Sequence, residues 1–126
     1  MGLILYVSGK NDSSATLLQV IITAIPDHEI EIYSSISELS ERLHQSMLDV
    51  GIAVLHVASH AELMEIIYLG DLLKELRIVL VLPDNQPDTL DKAHILCPRF
   101  IVAAESDFKH LGSVLTKMVD LYDKTH

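Results

Sequence analysis

The feature that most constrains this fold is an apolar run near the middle of the chain. From Val50 to Val57 the sequence is almost continuously apolar and rich in β-branched residues. A strand that is apolar on both pleat faces must be covered on both faces, as in the centre of a parallel α/β sheet. Ligand chemistry in such sheets lies at the carboxyl ends of the strands, so His56 and Ser59 are the first candidate site residues.

Four further strands are predicted on either side of this central strand, Asp49–Ala58. They are apolar or alternating segments bounded by turn residues: Leu3–Ser8, His28–Tyr33, Arg77–Leu82 and Phe100–Ala104. Strict alternation of polar and apolar residues in His28–Tyr33 indicates a strand with one wetter face, near a sheet edge. The apolar character of Leu3–Ser8 and Arg77–Leu82 predicts that they are inner strands beside the central one.

Amphipathic segments with helix-start signals separate these strands. Ser35 and Ser59 each open a capping box, with Glu38 and Glu62 three residues on. The predicted helices are Ser14–Ile25, a helix from Ser35 to about Met47, a helix behind Ser59 with a bend or break near Gly70, Asp88–Leu96 with Asp88 at its cap, and a last helix capped by Ser106. Right-handed crossovers then favour an α/β three-layer sandwich, (βα)5, with a five-stranded parallel sheet of order 2-1-3-4-5.

Composition narrows the classes of function. A chain of 126 residues is predicted to be one domain, residues 1–126, and its single cysteine, Cys97, excludes an internal disulfide. Eighteen acidic against nine basic residues give a net charge of −9, which disfavours nucleic acid as a partner. No apolar run reaches the roughly 18 residues of a membrane span, and the N-terminal run is too short for a secretory signal. The expected location is cytoplasmic.

The order and length of these elements resemble the receiver domain of two-component response regulators, the CheY-like family within the flavodoxin-like fold. Leu3–Val7 resembles the opening strand of that family, and Asp49–Val57 resembles the strand that delivers its phosphorylatable aspartate. The family's functional residues do not follow. The positions of its magnesium-binding acids fall on Ser8 and Gly9, and the position of its phospho-acceptor falls on His56 or an immediate neighbour. The position of its Thr or Ser falls near Leu82 and Pro83, and that of its lysine falls near Ala103 and Ala104.

This departure implies a degenerate form of the family, a pseudo-receiver. Without paired carboxylates a magnesium ion has no cage, and phosphoryl transfer to aspartate loses its main charge stabilisation. The resemblance then implies a bacterial, non-enzymatic signalling domain with no cofactor and no metal. Its partner would be a protein, either a kinase, an effector or a second copy in a homodimer. Contact would use the predicted helix 4–strand 5–helix 5 face, drawn from Asp88–Leu96, Phe100–Ala104 and Asp107–Tyr122.

Two alternatives stay open at the carboxyl edge of the sheet. The first is a small flavodoxin-like protein or enzyme that binds a ligand, nucleotide or flavin. Its candidate pocket is Ser8, Lys10, Asn11, His56, Ser59, Asp84 and Glu105. The second is a receiver in which His56 accepts the phosphoryl group, although a packed, hydrogen-bonded histidine is the simpler interpretation. Asp88, Asp91 and His94 recur every three residues, which suits a weak metal site less well than solvated helix charges.

Overall fold

The computed structural model of the chain describes residues 2–7, 12–26, 28–45, 50–84, 86–102 and 108–125. Its strands are β1 (Gly2–Val7), β2 (Glu29–Tyr33), β3 (Val50–His56), β4 (Arg77–Val81) and β5 (Phe100–Val102). Its helices are α1 (Asp12–Ala24), α2 (Ile36–Leu43), α3 (His60–Tyr68), α4 (Gly70–Leu73), α5 (Pro87–Ala93), a 3₁₀ turn (His94–Leu96) and α6 (Phe108–Thr125).

All strand pairs are parallel, and the sheet order β2-β1-β3-β4-β5 confirms the predicted topology. One apolar layer lies between the sheet and α2 to α5, where Leu63 and Ile66 of α3 are fully buried. The second layer lies between the sheet and α1 with α6, around Leu17 and Leu111. The central strand β3 is buried along its whole length, because helices cover both of its faces.

The predicted helix starts at Ser35 and Ser59 are confirmed. Each serine has extended backbone, and its hydroxyl oxygen accepts a hydrogen bond from the backbone N–H three residues on. The predicted break at Gly70 is also confirmed, because α3 ends at Tyr68 and α4 begins at Gly70. The chain therefore has one more α-helix in this part than an unbroken alternation would give.

Several predicted element ends need correction. The helix α2 ends at Leu43, short of Met47, and residues 46–49 lie outside the described part. The helix α5 begins at Pro87, so Gln86 and not Asp88 is its N-cap, since proline at the first helical position needs no hydrogen-bond partner for its nitrogen. The last predicted strand is described only to Val102, and the predicted cap Ser106 lies outside the described residues.

Two long-range polar contacts tie the helices to the sheet. Arg42 of α2 is almost buried, and its guanidinium donates to both carboxylate oxygens of Glu31 in β2, at 2.7 and 3.1 Å. The hydroxyl of Tyr33 donates to the same carboxylate at 2.6 Å. On the next strand, the hydroxyl of Tyr6 donates to Glu62 of α3 at 2.7 Å. The polar face of β2 is therefore tied to α2 and is not simply solvated.

Candidate functional site

The carboxyl ends of four strands meet in one row of residues. The strand registers place Val7 beside His56, His56 beside Val81, and Val81 beside Val102. All four side chains are buried, with His56 8% exposed. Since side chains alternate across a strand, His56 lies on the same face of β3 as Ile52 and Val54, toward α1 and α6. The histidine therefore stands among valines in the apolar layer.

Hydrogen bonds between neighbouring strands continue one residue beyond this row. The N–H of Val57 donates to the carbonyl of Val81 at 2.8 Å, and the N–H of Leu82 donates to the carbonyl of Val102 at 2.8 Å. Both Val57 and Leu82 are buried. At these two positions the backbone N–H groups are already hydrogen-bonded to neighbouring strands, so they are not available to bind an anion.

A polar cluster lies on the other face of the sheet, where the N-termini of α3 and α5 meet. The Nε2 atom of His60 lies 2.5 Å from Oγ1 of Thr89 and 3.8 Å from Oδ2 of Asp84. Its Nδ1 atom lies 3.9 Å from Oδ2 of Asp88, which also accepts a hydrogen bond from Lys92 at 3.2 Å. Thr89 is fully buried, whereas the His60 and Asp84 side chains are about two-fifths exposed.

The lowered pKa of Asp84 indicates the direction of the hydrogen bonds in this cluster. The Thr89 hydroxyl lowers the pKa of Asp84 by donating to its carboxylate, and the N–H of Gln86 and the charge of His60 lower it further. A hydroxyl carries one hydrogen, so when it donates to Asp84 its oxygen must accept from His60. The Nε2 atom of His60 then carries a hydrogen, and its Nδ1 atom faces Asp88. The cluster is thus a hydrogen-bond relay, a chain of hydrogen bonds from the His60 imidazole through the Thr89 hydroxyl to the Asp84 carboxylate.

Local sequence explains how these groups come together. Ser59 caps α3 and fixes His60 as its first residue. After β4, Asp84 accepts a hydrogen bond from the N–H of Gln86 at 3.0 Å, a turn that brings the chain into α5. Thr89 then falls in the first turn of α5, on its buried side. Both helices start at the same edge of the parallel sheet, so their first turns are neighbours.

The structure describes three of the seven residues that the sequence placed in one pocket. Asp84 lies in the polar cluster and Ser59 caps the adjoining helix, whereas His56 lies on the opposite face of β3. Ser8, Lys10, Asn11 and Glu105 lie outside the described residues. Within the described ranges, no three His, Cys, Asp or Glu side chains are grouped to hold a metal ion, and this includes Asp88, Asp91 and His94.

Thr89 is the member of the cluster that sequence reasoning missed. One signal could have identified it. Thr89, Ala93 and Leu96 follow the helical spacing of the buried stripe, and all three are buried. A buried hydroxyl needs a hydrogen-bond partner, and the nearest polar groups are those in the segments that come directly after the neighbouring strands in the chain.

The described elements and their order define a doubly wound α/β protein with the CheY-like receiver fold. A pilus assembly-related protein from Burkholderia pseudomallei K96243 has a similar structure, with a TM-score of 0.72 and 21% sequence identity over 94% of this chain and 89% of that chain. The phosphorylated cyanobacterial phytochrome response regulator RcpA is also similar, with a TM-score of 0.70 and 11% identity over 99% of this chain and 96% of that chain. These likenesses concern the fold.

Neither a family model nor a curated protein sequence matches the chain. Among the described helices, none combines the length and apolar character that crossing a bilayer requires.

Proposed function

We propose that this chain is a receiver-like signalling domain that acts through protein–protein contacts in the cytoplasm and does not use magnesium-dependent aspartyl phosphorylation. The observation that carries the proposal is the row of Val7, His56, Val81 and Val102 at the carboxyl ends of the strands. A receiver that phosphorylates an aspartate needs carboxylates here to hold a divalent cation. This row supplies three alkyl side chains and one imidazole.

The sequence beyond the row supports the same proposal. The two residues that follow β1 are Ser8 and Gly9, which bring no carboxylate to the position where the resembled family has its acidic pair. The Asp84 carboxylate is already engaged by Thr89, Gln86 and His60 on the other face. A domain of this kind signals by what binds its surface and not by chemistry at the edge of its sheet, so it is not an enzyme.

A phosphoryl analogue tests the proposal directly. Beryllofluoride with magnesium is titrated into ¹⁵N-labelled protein, and magnesium alone is the control. We expect the amide resonances of Val7, His56, Val57 and Leu82 to stay in place, because no carboxylate pair is there to complete the ion's shell. Saturable shifts at the ends of β1 and β3 that require both beryllofluoride and magnesium would contradict the proposal.

The proposed contact surface is the one formed by α5, β5 and α6 at the outer edge of the sheet. Asp91 of α5 is exposed there, whereas Glu41 of α2 is exposed near the opposite edge. A partner identified by affinity purification with the wild-type chain is expected to be lost with Asp91→Lys and retained with Glu41→Lys. Loss with the control variant alone would place the contact elsewhere.

A further inference from the structure

A second surface feature lies at the amino-terminal edge of the sheet. Tyr68 is 86% exposed and Ile95 is 62% exposed, which makes them the most exposed large apolar side chains in the described part of the chain. Single exposed apolar residues are ordinary, but these two line the same groove. The floor of the groove is apolar as well, formed by Ile67, Leu76, Ile78, Leu96 and Pro98.

The shape of this groove suits a segment of chain and not a flat protein face. It encloses about 840 Å³ between the end of α3, α4 and the 3₁₀ turn. A volume of this order accommodates a few side chains. The backbone around it is already held in place, since the N–H of Arg99 donates to the carbonyl of Ile78 at 2.7 Å and that of Cys97 to His94 at 3.0 Å. A preformed groove lowers the ordering cost of binding.

The charge of the rim indicates the chemistry of the occupant. The ionisable groups on the groove include Asp71, Lys74 and Arg99. Asp71 and Lys74 form a weak pair at 3.7 Å, with both side chains extended into water. Arg99 has no acidic partner within ion-pair distance among the described residues. The groove thus carries a spare positive charge on a chain whose net charge is −9.

This charge disfavours a second copy of the chain as the occupant. A two-fold contact would place the groove of one copy against the groove of the other, and two grooves that each carry a net positive charge repel one another. An acidic partner instead gains from both cations. Tyrosine and arginine are also the residue types that dominate the binding energy of protein contacts, particularly around a pocket that an anchor side chain fills.

We propose that this groove binds a short acidic segment of a partner protein, with an apolar side chain held between Tyr68 and Ile95 and a carboxylate paired with Arg99. The inference rests on the proposed function only in assigning protein contact to the chain. The groove lies at the edge of the sheet opposite to the row ended by His56, so its occupancy does not depend on phosphorylation. The beryllofluoride titration and the experiment below can therefore fail separately.

The test is a selection of a random-peptide phage library on the immobilised full chain. We expect the selected peptides to combine an apolar anchor with Asp or Glu, and Tyr68→Ala or Arg99→Glu to weaken their binding about tenfold or more. Ile32→Ala is the matched apolar control, since Ile32 is 49% exposed on β2. Lys117→Glu, on the exposed side of α6, is the matched charge control. Both controls should leave the affinity nearly unchanged.

Several results would overturn the inference. These are a selection that yields no binding peptide, peptides that bind the Tyr68→Ala chain equally well, and peptides rich in Lys or Arg. Sedimentation of the wild-type chain as a dimer that Tyr68→Ala converts to a monomer would also overturn it, by making a second copy the occupant. Because Tyr68 is almost fully exposed, its replacement should not affect folding, and an unchanged circular dichroism spectrum checks this directly.

Discussion

Replacing Thr89 by valine tests the hydrogen-bond relay at the start of α5. Valine keeps the shape of threonine and its β-branch, so the change removes the hydroxyl and little else. The hydroxyl is fully buried and bonds both His60 and Asp84. Each of the two hydrogen bonds contributes about 1 kcal/mol, and the added methyl group offsets part of this loss, so we expect the free energy of unfolding to fall by about 1 kcal/mol.

The sharper readout of the same variant is the pKa of Asp84. In the wild-type chain the Thr89 hydroxyl is the largest cause that lowers this pKa. In Thr89→Val the pKa should therefore rise toward its ordinary value. A group whose folded pKa is lowered contributes stability that is present above its unfolded pKa and lost as the pH falls through its folded pKa. The stability difference between wild type and variant should then be largest near neutral pH and shrink in acid.

Two measurements on this variant decide the matter. The pKa comes from an NMR titration of the Asp84 carboxyl carbon, and the stability comes from urea unfolding at several pH values. Thr116→Val is the control, because the exposed Thr116 hydroxyl bonds only backbone carbonyls. An unchanged Asp84 pKa in Thr89→Val, or a variant as stable as wild type at neutral pH, would refute the relay.

Three further predictions concern stability. Glu31→Gln should lower the free energy of unfolding by about 1–2 kcal/mol at neutral pH, a value between those for exposed and buried ion pairs. Urea unfolding should show that this difference from the wild type vanishes in acid, because Arg42 lowers the folded pKa of Glu31. Gly112→Ala should raise the free energy of unfolding by about 1 kcal/mol, since its new Cβ meets Val20 at an ordinary 3.6 Å; a lower melting temperature would contradict this. Cys97→Gly should raise the free energy of unfolding by roughly 0.5–1 kcal/mol, because Cys97 has a left-handed backbone with φ of 52°, which strains any residue other than glycine. A loss of stability in urea unfolding would contradict this.

Much of the fold could be predicted because its signals are local. An apolar run such as Val50–Val57 requires cover on two faces, and a serine three residues before a glutamate marks a helix start, as at Ser35 and Ser59. Gly70 interrupts a helical stripe at the point where the structure divides α3 from α4. Each of these features depends on neighbouring residues, and the parallel order then follows from the handedness of the crossovers.

The candidate site could be predicted only in part, because its contacts join distant residues. His60 and Thr89 are 29 positions apart, and nothing near either residue indicates the other. Alternation in β2 predicts a strand with one wetter face near a sheet edge, and the strand order confirms the edge position, but the pattern does not indicate that Glu31 pairs with Arg42 on the next helix. Cys97 ends the 3₁₀ turn in a left-handed conformation and is exposed at the groove, a position that depends on how this turn meets α3 and α4.

The helix α3 shows why exposure and stability separate in this protein. Its inward face, with Leu63 and Ile66, is fully buried and serves the core, whereas Met64 and Tyr68 on its outward face are 38% and 86% exposed. Tyr68 contributes little buried area to the isolated chain, so a polar replacement there should change the free energy of unfolding by no more than about 0.5 kcal/mol. A side chain that contributes little to folding stability can be used to bind a partner protein. If Tyr68→Gln instead lowers stability by more than this, the outward apolar face belongs to the fold and the groove loses its main support.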